Sequence, residues 1–182
     1  MAKNEKSGEK TPRRKRKISF LMIAIGLLLA SAWYGSRAVG YAASHRLVMV
    51  PSGSMAPAIL PGDRMLVELG GDVPKRGEIW TIAGPNAMLI KRVVGLPGEI
   101  VSIVGGRVLI DGEPLEELYL AAPMGAAMAL DEVKLGPGDY WLMGDTRATS
   151  SDSRAWGPAS RDRLLGRAEW RVWPSDRMGP VR

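Results

Sequence analysis

Residues 18–35 read ISFLMIAIGLLLASAWYG, eighteen consecutive positions without a charge. As a helix rising 1.5 Å per residue they extend about 27 Å, close to the hydrocarbon thickness of a bilayer. Nothing polar recurs at helical spacing, so the stretch lacks the two-faced pattern of a helix packed on a soluble core. Trp33 and Tyr34 fall at its far end, where aromatic rings favour a membrane interface. Eight basic residues (Lys3, Lys6, Lys10, Arg13, Arg14, Lys15, Arg16 and Lys17) precede it, and the positive-inside rule keeps such a run in the cytoplasm. A cleavable leader is the other reading, with Ala42, Ala43 and Ser44 as the small residues near a cut, but its apolar core is ordinarily shorter. We therefore expect a cytoplasmic tail at 1–17, a transmembrane helix at 18–36, a linker at 37–46 and an extracytoplasmic domain at 47–182. The lipid bilayer is the first expected partner.

The charge sits almost wholly in that tail. Its eight cations, opposed by Glu5 and Glu9, account for the entire formal excess of +6. The remaining domain is close to neutral and has no electrostatic footprint for a phosphate backbone, so no nucleic-acid partner is expected. The chain has no cysteine, which excludes thiol catalysis, thiolate metal sites and disulfides. One histidine, His45, cannot build a His-pair zinc site, so no metal is expected. It reads as an exposed linker residue.

After the linker, short apolar runs alternate with turn residues, the pattern of strands. Strands are expected at 46–50, 64–69, 78–83, 87–94, 99–104, 107–110, 139–143 and 164–172. Gly105-Gly106 between two β-branched runs signals a hairpin, and Asp111-Gly112 a further turn. Residues 120–135, rich in Ala and Met, read as a helix or a loop. The expected fold is all-β, a coiled or barrel-like sheet behind one transmembrane helix.

Three segments of that domain offer chemistry. Lys91 lies inside the run Met88-Leu89-Ile90-Lys91-Arg92-Val93-Val94, sharing a strand face with Leu89 and Val93. Buried there, its ammonium would lose solvation and its pKa would fall; snorkelling to water, it would stay an ordinary cation. Pro51-Ser52-Gly53-Ser54-Met55-Ala56-Pro57 puts two hydroxyls around a flexible glycine, an arrangement that serves either a structural turn or a nucleophile. The stretch 144–154, GDTRATSSDSR, is dense in hydroxyls and paired charges and reads on its own as a polar surface loop.

Taken in order behind a membrane span, these segments resemble the motif set of the bacterial type I signal peptidases, serine–lysine proteases of family S26. The resemblance rests on Pro51-Ser52-Gly53-Ser54-Met55 with Pro57, on Gly62-Asp63, on Ile90-Lys91-Arg92-Val93-Val94-Gly95 with Pro97-Gly98, and on Gly144-Asp145 with Arg147, Ser150, Asp152-Ser153-Arg154 and Gly157. It implies a signal-peptidase-like coiled β-sheet domain, with Ser54 as nucleophile and Lys91 as general base. Ser52 would help form the oxyanion hole, and Ser150 would orient the lysine amine. Asp145, Asp152, Arg154 and Arg92 would support the site, and Met55 would line the substrate cleft. Preprotein signal peptides would be cut after a small-x-small, usually Ala-x-Ala, site without metal or cofactor. Three positions depart from the family pattern: Ala58 where threonine is usual, Glu99 where aspartate is usual, and Thr146 where asparagine is common.

Other readings carry their own signatures. A peptidase dedicated to pilins, conjugation proteins or one export cluster would show the same motifs and differ in substrate range. A self-cleaving Ser–Lys repressor would carry a DNA-binding helical domain where this chain has a membrane span. A non-catalytic membrane-tethered homologue would have no need of Ser54, Lys91 and Ser150 together.

Overall fold

The structure is a computed structural model that describes residues 13–84 and 87–181, with side chains from Met22 onward. The first twelve residues of the expected basic tail lie outside them. Two compact units divide the chain, residues 1–43 and 44–182.

Among the described residues the first unit is one helix, α1, which runs Arg13–Ser44. Its stretch Met22–Ser44 is 23 residues long with a mean hydropathy of 1.4, long and apolar enough to cross a membrane. Leu27, Leu28 and Leu29 stand exposed along it, apolar surface that water disfavours. The segment expected as a linker differs: residues 37–44 continue the helix. Nothing there stops it, because Arg37, Ala38, Val39 and Tyr41 to Ala43 tolerate helix and no proline intervenes.

In the second unit the order of elements is β1 (His45–Met49), β2 (Arg64–Leu69), β3 (Ile79–Ala83), β4 (Met88–Gly95), β5 (Ile100–Val104), β6 (Arg107–Ile110), β7 (Glu113–Pro114), β8 (Leu130–Lys134), β9 (Asp139–Met143), α2 (Ser153–Trp156), β10 (Ala159–Ser160), β11 (Leu164–Trp173) and β12 (Gly179–Pro180). Among the described residues, one sheet has the order β1-β2-β11-β3-β4-β9-β10, with β12 paired to β11. The other has the order β7-β6-β5-β8. Both are antiparallel throughout. The fold is thus mostly β behind one apolar helix, as expected. His45 is the exception: it opens β1, and its side chain is 9% exposed and 3.7 Å from Glu169. It is a sheet residue, not an exposed linker residue.

Turn chemistry accounts for the second sheet. Gly105 and Gly106 adopt φ of 57° and 76°, closing the β5–β6 hairpin with Val104 opposite Arg107. A two-residue hairpin turn with both positions left-handed matches strand twist and favours glycine. Residues 120–135 form no helix; they are irregular until β8, with Pro123 withholding a helical donor and Gly125 disfavouring helix. Val94, Val101, Ile103, Val108, Leu135 and Trp141 cluster between the two sheets, while Val50, Met55, Ile59, Met65, Val67 and Ile90 form a core beneath β1 and β4.

Candidate active site

The site draws on three segments far apart in sequence. β1 leads into a turn in which Ala56 N–H donates to Gly53 O at 3.0 Å and Ile59 N–H to Met55 O at 2.8 Å. Met55 is 1% exposed and pegs the turn into the core, so Ser54, beside it, is held in place half-buried. On β4, Lys91 stands opposite Trp80 of β3 and is itself 3% exposed. Its Nζ donates to Ser54 Oγ at 2.9 Å. Burial drives the Lys91 amine below its ordinary pKa, against the pull of Asp152 and Asp145, and the nearby Arg154 adds to the fall. Of the two sequence readings of this lysine, the structure takes the buried one.

The loop that follows β9 closes the site from the other side. Thr146 N–H donates to Ser54 O at 3.0 Å, and Thr146 Oγ1 donates to Gly53 O at 2.7 Å with Ala56 O 3.2 Å away. Gly144 is compulsory: a Cβ there would overlap Ser150 Oγ and sit 2.7 Å from Ser54 O. Asp145 accepts two hydrogen bonds from Arg92, Nε at 2.8 Å and Nη2 at 2.6 Å, while Arg92 Nη1 donates to Gly77 O at 2.7 Å. Burial raises the Asp145 carboxyl above its ordinary value, and the paired Arg92 opposes that rise.

Asp152 caps α2, accepting from Arg154 N–H, and also accepts from Gly144 N–H at 3.0 Å and from Arg154 Nε and Nη2 at 2.8 Å each. Burial alone would raise its carboxyl, but those donors outweigh it and hold the group below the usual carboxylate range. Ser52 is exposed, with its Oγ 3.5 Å from Ser54 Oγ. Ser150 Oγ is buried beside the Asp152 carboxyl, which it helps to hold low, and the bond to the lysine amine implied by the resemblance is not formed here.

A cleft of about 300 Å³ opens at this point, lined by Val48 to Ser52, Ser54 and Met55 on one side and by Ala87 to Lys91 on the other. The structure therefore brings Ser52, Ser54, Met55 and Lys91 together at one cleft and sets the Arg92–Asp145 and Asp152–Arg154 pairs behind it. Sequence reasoning missed Thr146 and Gly144 as parts of the site, and it missed a clamp from a distant segment. Glu117 accepts from Arg147 Nη1 at 2.8 Å and from Tyr119 OH at 2.6 Å, and the Arg92 guanidinium lies 4.0 Å from the centroid of the Tyr119 ring. Thr146 had left a trace as a departure from the family pattern, and Gly144 and Arg147 as motif residues without a stated role. Among the described residues no cluster of three His, Cys, Asp or Glu side chains is suited to a metal ion.

Fold and site together describe an all-β domain behind a helix of membrane-spanning length, with a serine hydroxyl and a buried lysine amine bonded at one cleft. A family model described as "Signal peptidase, peptidase S26" matches residues 16–173. The signal peptidase I of Leptolyngbya laminosa is 40% identical over 146 residues, covering 72% of this chain and 70% of that protein. Signal peptidase I U of Bacillus subtilis is 29% identical over 183 residues, covering 92% and 95%. A crystal structure of a signal peptidase I from Enterococcus faecalis aligns with a TM-score of 0.45 at 27% identity, covering 53% of this chain and 97% of that one. The chain belongs to the signal peptidase family, peptidase S26.

Proposed function

We propose that this chain is a membrane-anchored serine endopeptidase that removes signal peptides from exported preproteins after a small-x-small site, with Ser54 as nucleophile and Lys91 as general base. The observation that carries the reading is the 2.9 Å bond from Lys91 Nζ to Ser54 Oγ, made by a lysine that is 3% exposed. A lysine desolvated to that degree can hold a free amine at ordinary pH, and only a free amine can accept the serine proton.

Ser54 Oγ then attacks the scissile carbonyl while Lys91 takes its proton. The Ser54 backbone N–H and the Ser52 hydroxyl are the donors for the oxyanion. A well-placed donor of this kind contributes about 3 kcal/mol in serine hydrolases. The amine next gives its proton to the leaving nitrogen, and water releases the acyl group. Ser150, buried between the Asp152 carboxyl and the site, is the hydroxyl that would hold the amine once Ser54 is acylated. Asp145, Asp152, Arg154 and Arg92 position this machinery through the bonds described above.

The cleft suits an extended peptide. β1 pairs only with β2 among the described residues, and β4 meets β9 only from Arg92 onward, so both strands offer free backbone edges beside Ser54. Strand addition between such edges uses main-chain bonds for affinity and side-chain pockets for specificity. The walls, Val48, Val50, Met55 and Ile90, leave room for small side chains. In this reading residues 1–17 remain in the cytoplasm, the span at 18–36 crosses the plasma membrane, and residues 47–182 work outside it, following the basic run and the positive-inside rule.

The test is cleavage of a model preprotein with an Ala-x-Ala site by the purified, detergent-solubilised chain, beside Ser54→Ala and Lys91→Ala. A cut after the second alanine by the wild type, abolished in both variants, is the expected result. Residual cutting by Lys91→Ala would reassign the base, and silence of the wild type on several preproteins would sink the substrate class.

A further inference from the structure

The chain just beyond β7 turns two polar side chains towards the catalytic pair, and the mechanism above uses neither. Burial alternates along it: Leu115, Glu117 and Tyr119 face inward, while Glu116 and Leu118 are exposed. That is the pattern of an extended strap laid on a surface, with every second residue on one face. Leu115 roots the strap: its N–H donates to Val108 O at 2.9 Å, and its side chain packs on the cluster around Val101 and Trp141. Two positions on, the Glu117 side chain is only 9% exposed, and a carboxylate so enclosed needs a partner to stay charged.

Arg147 is that partner. Its Nη1 donates to Glu117 Oε2 at 2.8 Å and its Nη2 to Glu117 Oε1, while its Nε donates to Gly144 O at 3.0 Å. Tyr119 OH also donates to Glu117, at 2.6 Å, and the Tyr119 ring lies over the Arg92 guanidinium. In its own plane that guanidinium is engaged by Asp145 and by Gly77 O. The contacts close a circuit. Glu117 holds Arg147, Arg147 holds the Gly144–Asp145 turn, Asp145 holds Arg92, and Arg92 meets Tyr119, which returns to Glu117. Arg92 and Arg147 bring two positive charges into it, and Asp145 and Glu117 two negative ones. Without Glu117 the circuit would enclose an unbalanced cation, the costly way to break a buried pair. Burial alone would lower the Arg147 guanidinium, but Glu117 outweighs it and raises the group.

We propose that Glu117 is a positioning residue for the Ser54–Lys91 pair, acting through Arg147 and Tyr119; the inference rests on the function proposed above. Both members of the pair hang from the circuit. On the lysine side, Arg92 follows Lys91 directly on β4, so a fixed guanidinium fixes the backbone from which Nζ reaches Ser54 Oγ. On the serine side, Thr146 lies between Asp145 and Arg147, and its N–H donates to Ser54 O at 3.0 Å. Glu117 is not part of the lining of the cleft between β1 and β4, so substrate binding does not depend on it directly. What it controls is the aim of the reacting groups, where a displacement of about 1 Å can cost about 100-fold in rate.

The full-length chain in detergent is assayed on a model preprotein with an Ala-x-Ala site, kcat and KM being read well below each variant's melting transition. Glu117→Gln keeps the size of the side chain and removes its charge. It should lower kcat about 10- to 100-fold and leave KM almost unchanged. Tyr119→Leu, which strips the aromatic ring from Arg92, should lose more kcat than Tyr119→Phe, which drops only the bond to Glu117. A folded Glu117→Gln chain with wild-type kcat, or one whose loss lies in KM, overturns the positioning role and leaves the peptidase reading standing. Should Glu117→Gln fail to fold, the tyrosine variants decide, and wild-type kcat in Tyr119→Leu overturns the role equally. A wild-type chain that leaves the preprotein uncut defeats both readings.

Discussion

Thr146→Val separates positioning from chemistry in this site. The substitution keeps the backbone N–H that donates to Ser54 O and removes the hydroxyl that donates to Gly53 O at 2.7 Å near Ala56 O. A hydroxyl proton serves one acceptor at a time, so a single hydrogen bond is lost and a half-buried carbonyl is left facing a methyl group. The expected cost is about 1–3 kcal/mol, which lowers the melting temperature by about 3–10 °C for a domain of this size. The carbonyls belong to the turn that aims Ser54, so the loss also reaches the rate. At a factor of ten per 1.4 kcal/mol, kcat on a model preprotein should fall about 10- to 100-fold. The cleft walls on β1 and β4 make no bond to Thr146, so KM should hardly change. Thr146→Ser retains the hydroxyl and should restore both readings. A Thr146→Val enzyme with wild-type kcat, or a Thr146→Ser enzyme as slow as Thr146→Val, would refute the positioning role.

The lowered Lys91 pKa makes two linked predictions. Cleavage should rise with pH as the amine deprotonates and fall on the acid side of that lowered value, below that of an ordinary lysine, as a pH–rate profile of kcat/KM would reveal. Between the lowered folded value and the unfolded lysine value the unfolded chain binds a proton that the folded site resists, so folded stability increases with pH in that window; Lys91→Met should abolish cleavage yet raise the melting temperature at neutral pH. Arg92→Ala leaves the Asp145 carboxylate buried without its bidentate partner and should cost about 3–5 kcal/mol in denaturant unfolding, whereas a surface pair would cost about 1 kcal/mol or less.

Legibility in the sequence followed the range of the interactions. β2, β6 and β9 were readable to the residue because alternation and turn glycines are local signals. Ser54 and Lys91 stood out from their surroundings, a glycine-flanked hydroxyl and a cation in an apolar run. Their partners did not. Thr146 meets the serine turn across about 90 positions, and Glu117 meets Arg147 across 30. No periodicity encodes such side-chain bonds; they exist only once the sheets have closed. The helix end was misplaced for the opposite reason: Ser36 and Arg37 look like a boundary, but no proline comes before His45, and the lone Gly40 does not stop a helix already in progress. In 120–135, composition suggested helix, while Pro123 and Gly125 decided the outcome.

The position of β11 has a consequence for the order in which the molecule comes into being. β11 lies between β2 and β3, which are not paired with each other, and it supplies the seam joining the serine half of the large sheet to the lysine half. Ser54 and Lys91 are synthesised early, yet the strands that carry them are joined into one sheet only when residues 164–173 emerge. In the proposed reading the site therefore reaches its finished form only when nearly all of the β domain has been made, a delay set by strand order alone.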